Sequence, residues 1–127
     1  MDDRGPFLRW QWSNYPGAHR DRRNLAVHAL SWPVYLGGTC AIAASPIAGV
    51  DSAIAGAVAM GAAMVAQGRG HKLEGRAPAA FRGPLDVVKR LFVEQWVTFP
   101  RYLLSGGFAR AWREAAPAGR SAANPKA

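Results

Sequence analysis

The chain has 127 residues, a length for one domain, with a formal net charge of +8 and half of its residues apolar. Its one cysteine, Cys40, excludes an internal disulfide and a cysteine-based metal site. No nucleic-acid motif accompanies the basic charge. The Arg and Lys residues flank apolar runs, which points to a membrane surface and away from nucleic acid as a partner.

Residues 1–13 read as a polar N-terminal arm. Its Phe7, Leu8, Trp10 and Trp12 stand beside arginines, as suits a headgroup layer. Residues 14–116 read as a single membrane-embedded helical domain. Asn14-Tyr15-Pro16-Gly17 is a turn, and Asp21 is placed to cap a helix. From Leu25 to Gly68, forty-four positions, Asp51 is the only fully charged residue. Residues 25–44 form a first span of about the length a bilayer core needs, with a kink expected at Pro33. Cys40 is expected to pack there as a small hydrophobe. Ser45-Pro46 is expected to break the run, and residues 47–66 form a second span. Gly49, Ala53, Ala57 and Gly61 fall four apart, a small-residue face that another helix can approach, a second copy of the chain included.

Arg20, Arg22 and Arg23 precede the first span, and Arg69, Lys72, Arg76 and Arg82 follow the second. The connection between the spans has no Lys or Arg. The positive-inside rule then predicts a multi-pass integral membrane protein with both termini cytoplasmic, in a bacterial inner membrane or, in a eukaryote, the endoplasmic reticulum. Over residues 84–99, Leu85, Val88, Leu91, Phe92, Trp96 and Phe99 recur at helical steps. Asp86, Lys89, Arg90 and Glu94 take the other face. This spacing predicts an amphipathic helix lying in the interface, bent or ended at Pro100. Residues 108–116 add a short helix, and 117–127 read as a disordered tail. The fold class is all-α, a helical hairpin plus an interfacial helix.

The histidines are His19, His28 and His71, and all fall on one shoulder of the hairpin. Folding the hairpin brings Asn24 and His28 near Gln67, His71 and Glu74. Asn24 and His28 share a helix face, as do His71 and Glu74 if that segment is helical. Two or three imidazoles with the Glu74 carboxylate suit iron(II) or zinc. His19 and His28 are nine apart, about 180° round a continuous helix. Either His19 lies in the loop before an Asp21-capped helix, or it is not a ligand.

The pattern around these residues is His19, then Asn24-Leu-Ala-Val-His28, then Pro33. Two apolar spans follow, and then Gln67-Gly-Arg-Gly70-His71-Lys-Leu-Glu74-Gly-Arg-Ala-Pro78. Over about residues 15–104 the chain resembles the small membrane family of iron-dependent 2-hydroxy fatty acid dioxygenases. The resemblance implies an Fe(2+) enzyme of fatty acid α-oxidation that uses O2 to shorten a 2-hydroxy fatty acid by one carbon. It makes His19, His28 and His71 candidate iron ligands. Glu74 completes the set or orients a histidine, and Asn24 and Gln67 are expected to support the ligands by hydrogen bonding. The substrate hydroxyl and carboxylate are expected on two open iron positions with O2 on a third. Arg22, Arg23, Arg69 and Lys72 are candidates to hold the carboxylate. Two other readings fit the same residues: a non-catalytic hairpin binding lipid or a partner helix, and a metal-dependent lipid hydrolase or hydroxylase.

Overall fold

The computed structural model describes residues 3–115. The expected tail at 117–127, and the end of the last helix at 116, lie outside them. The described residues are mostly helical, with an irregular segment over 72–83 and no strand. The elements are α1 (Phe7–Asn14), a 3-10 turn (Pro16–Ala18), α2 (Arg22–Ala48), α3 (Val50–His71), α4 (Pro84–Val93), a π-helical turn (Glu94–Thr98), α5 (Phe99–Leu104) and α6 (Gly107–Glu114).

α2 and α3 form the expected hairpin, and both are long and apolar enough to cross a bilayer. At 1.5 Å per residue they measure about 40 and 33 Å, against a hydrocarbon core of about 30 Å. The break expected at Ser45-Pro46 is absent. α2 runs through both Pro33 and Pro46 to Ala48, and the chain reverses at Gly49 alone. Gly49 has φ 94°, a region closed to most side chains, so one glycine replaces the longer loop that Ser-Pro suggested. Asp51 sits in the first turn of α3, where a carboxylate complements the helix dipole.

The helices touch through Gly38 and Gly56. A Cβ on Gly56 would collide with the Gly38 carbonyl oxygen, and one on Gly38 would come within 2.7 Å of the Gly56 oxygen. Within the hairpin, the face of Gly49, Ala53, Ala57 and Gly61 is not the one that meets α2. Ala57 and Gly61 point outward, and nothing lies within 4 Å of a Cβ built on Gly61. Cys40 is exposed rather than packed. Leu30, Ile47, Val50, Ile54, Val58 and Val65 also stand exposed, which gives the hairpin an apolar exterior.

The buried core lies at the open base of the hairpin. Tyr15, Leu25, Phe99 and Tyr102 form it, with Trp12, Trp32 and Phe108 packed around them. The first surprise is α1, in place of a polar arm. It is held against α4 from outside itself. Gln11 Nε2 donates to the Arg90 carbonyl at 2.9 Å. The guanidinium groups of Arg4 and Arg90 lie 4.6 and 5.0 Å from the Trp10 ring centre. The second is the π-helical turn in the helix expected over 84–99. Phe99 N–H bonds back five residues to the Glu94 carbonyl. The chain then continues helically through Pro100, which falls in the first turn of α5 and needs no N–H partner there. Leu85, Val88, Phe92 and Trp96 keep the expected outward apolar stripe.

Candidate metal centre

Four side chains converge at the base of the hairpin. Ligand atoms of His19, His28, His71 and Glu94 all lie within 4.8 Å of one another. The three imidazole ring centres are 4.6, 4.8 and 4.9 Å apart, each pair steeply inclined.

Each histidine arrives by a different route. His28 lies on the second turn of α2, and its Nδ1 is 3.0 Å from the Asn24 carbonyl. His71 is the last residue of α3. His19 follows the 3-10 turn and precedes α2, which starts at Arg22 behind an Asp21 cap accepting from Arg23 N–H at 2.8 Å. It therefore sits in the loop, and the 180° conflict disappears. Its ring stacks on Tyr15 with centres 3.8 Å apart, and its Nδ1 is 2.7 Å from the Tyr15 carbonyl.

These contacts fix the tautomers. A backbone carbonyl can only accept, so Nδ1 carries the proton in both His19 and His28, and each Nε2 presents a lone pair. The two Nε2 atoms are 3.3 Å apart. Glu94 Oε1, a third acceptor, is 3.5 Å from His28 Nε2 and 3.8 Å from His19 Nε2. Buried His71 Nδ1 has no hydrogen-bond partner, and neither has Glu94 Oε1. Three buried acceptors thus face one point with no donor among them, an arrangement a cation satisfies. An ion about 2.0–2.1 Å from two nitrogens sets them about 2.8–3.4 Å apart for angles from about 90° to tetrahedral, a range that includes the separation seen here. The four residues could therefore hold a metal ion.

The electrostatics agree. Burial pushes His19 down to about 3, with the neighbouring His28 adding to it and Glu94 opposing. Burial would raise the Glu94 carboxyl, but the facing His28 and the other two imidazoles hold it below its ordinary value. His19 is therefore held neutral and Glu94 ionised, the forms that ligate. A consequence for stability follows. With His19 near 3 folded and 6.5 unfolded, the unfolded chain binds the extra proton between those values. The metal-free protein should hold its full stability above about pH 6.5 and lose it as pH falls, by up to about 1.4 kcal/mol per unit. Unfolding midpoints of metal-free protein at a series of pH values measure this, and His19→Gln should flatten the slope.

Glu74 is not one of the four. The α-helix ends at His71, so Glu74 lies beyond it in a turn and not on a shared face. Its carboxylate accepts from the N–H groups of Arg20 and Asp21 at 2.9–3.1 Å and from Asn24 Nδ2 at 2.8 Å. It ties the loop carrying His19 to the exit of α3. Asn24 also donates to the Ala18 carbonyl at 3.2 Å, and a Cβ on Gly70 would collide with its Oδ1. Gln67 does not touch the histidines through any hydrogen bond. It forms a reciprocal amide pair with Gln95, at 3.1 and 2.7 Å, and donates to Ser31 Oγ at 3.0 Å.

A cleft of about 710 Å³ opens onto the cluster, with His19, His71 and Glu94 in its wall. Trp10, Met64, Phe81 and Leu91 give it apolar surface. Of the cations expected to hold a carboxylate, Lys72 alone lines it. Arg22 donates to the carbonyls of Trp112 and Ala115 at 2.8 and 3.2 Å. Arg23 pairs with Asp21 at 3.0 Å, and Arg69 is exposed away from the cleft. Arg76 and Arg90 line the cleft, and neither was singled out by the sequence for that role.

No family model, curated protein or solved structure matches this chain. The functional argument therefore rests on its own residues.

Proposed function

We propose that this chain is an integral membrane Fe(2+)-dependent dioxygenase that shortens 2-hydroxy fatty acids by one carbon. The observation that carries the reading is the convergence of three imidazoles and the Glu94 carboxylate on one point. An apolar cleft beside that point and a hairpin of bilayer length make a lipid substrate the natural one. Charge flanking puts both termini on the cytoplasmic side.

The overall change balances as R–CH(OH)–COOH + O2 → R–COOH + CO2 + H2O. The bound metal would supply the activation of O2. Four protein donors would fill the tetrahedral shell of zinc, whereas they would leave a six-coordinate ion two positions for reactants. This favours iron. The carbonyls of Tyr15 and Asn24 hold two imidazoles in the ligating tautomer. Glu94 contributes the one negative charge, and the apolar wall limits water.

The test is metal content of anaerobically purified protein, followed by oxygen uptake with a 2-hydroxy fatty acid. Wild type should carry near-stoichiometric iron and release one CO2 per O2 consumed. His28→Ala and His71→Ala should lose both. Zinc in place of iron would move the reading to hydrolysis. Folded wild type that takes up no iron would leave a lipid-binding hairpin as the better account.

A further inference from the structure

Held by four protein donors, a six-coordinate ion would have two positions left for the acid and O2. An acid placed on one of them through its hydroxyl would leave its carboxylate to another cation. We propose that Arg76, assisted by Lys72, is that cation, and that the cleft is a binding site for a carboxylate-headed acyl chain.

Three cations line the cleft: Lys72, Arg76 and Arg90. Arg90 is committed. It donates to the Ala79 and Ala80 carbonyls at 2.9 and 3.0 Å, meets Asp86 at 3.6 Å and lies over the Trp10 and Phe81 rings. Asp86 is further engaged by Arg4 at 3.0 Å. Lys72 and Arg76 have no hydrogen-bond or ion-pair partner for their charges among the described residues. The nearby anion of the loop, Glu74, is taken up by backbone N–H groups and Asn24. Arg76 is also placed near the cluster. Its Nη1 would lie 3.7 Å from a Cβ on Gly17, two residues before His19. A planar guanidinium in that position suits a carboxylate, which it can bind with two parallel hydrogen bonds. The apolar remainder of the wall, with Met64, Phe81 and Leu91, receives the chain.

The pose rests on the dioxygenase reading, but the test does not depend on turnover. Metal-free protein in nanodiscs of neutral lipid is titrated with palmitate and, separately, with hexadecanol. Palmitate lacks the 2-hydroxyl, so no oxidation intrudes. Wild type should bind the acid about tenfold more tightly than the alcohol, as a charge-assisted contact predicts. Arg69→Gln, outside the cleft, should keep that preference. Arg76→Gln should lose most of it, and the double variant with Lys72→Gln all of it, while hexadecanol binding stays as in wild type. No preference in wild type, or one that survives in the double variant, overturns the proposal. Oxygen uptake by iron-loaded protein reports separately on the dioxygenase reading: discrimination without uptake leaves the carboxylate site standing and removes that reading. Uptake with no acid preference does the reverse.

Discussion

Replacing Glu94 with alanine should lower metal affinity by about a hundredfold or more, whereas replacing Glu74 should cost about tenfold. The ranking reverses what the sequence suggests. Loss of a residue that only orients a ligand typically costs roughly 10–100-fold, and Glu74 is such a residue. It holds the His19 loop through the Arg20 and Asp21 N–H groups without reaching the cluster. Glu94 is different in kind. Its Oε1 stands 3.5 Å from His28 Nε2 and is buried without a hydrogen bond. Removing it leaves three imidazoles and no anion to offset a divalent charge. Glu94→Gln separates charge from shape, since it keeps the oxygen but not the ionisation, and should fall between wild type and alanine. Metal titrations of the three variants, with circular dichroism to confirm that each is helical, measure the order. Wild-type affinity in Glu94→Ala with metal lost in Glu74→Ala would return the ligand set to the one the local spacing implied.

The reason Glu94 was not legible lies in the helical period. At 3.6 residues per turn, Glu94 falls with Asp86, Lys89 and Arg90 on the wet face. The π-helical turn bonds Phe99 rather than Thr98 to the Glu94 carbonyl and so breaks that register. Its traces in the sequence are indirect: Pro100, and the polar Gln95 and Thr98 that turn out to be buried. The hairpin and the three histidines were legible for the opposite reason. A charge-free run and a rare residue type on both of its flanks survive any error in local register. His19 was ambiguous only while the start of α2 was unknown, and the Asp21 cap resolves it. α1 was missed because its hold is tertiary, through Gln11 and the rings stacked under Arg4 and Arg90. Arg76 shares a flank with several other cations, and only the cleft distinguishes it from them.

Gln95→Met should destabilise the protein by about 1–3 kcal/mol, the cost of leaving a buried polar partner unsatisfied, and should weaken metal binding about tenfold as well. The first effect follows from the pair itself. Gln67 and Gln95 exchange two hydrogen bonds, and both are buried. Methionine keeps the volume but strands the Gln67 carbonyl oxygen, whose donor is Gln95 Nε2. The second effect follows from position. A π-helical turn is a costly local geometry that needs outside support. Here α3 supplies it through Gln67, and α2 supplies it through Trp32, whose Nε1 donates to the Gln95 carbonyl at 2.7 Å. Those contacts hold the residue next to Glu94. Relaxing the turn to an α register would swing Glu94 away from His28. The two effects separate in a cycle with Gln67→Met. If the pair acts chiefly as mutual satisfaction, the double variant should recover part of the lost stability, since neither amide is then stranded. It should not recover metal affinity, because the turn still lacks its support from α3. Full metal affinity in the folded double variant would mean that Trp32 and Pro100 set the turn without the amides. The aim of Glu94 would then be a property of the helix and not of the pair.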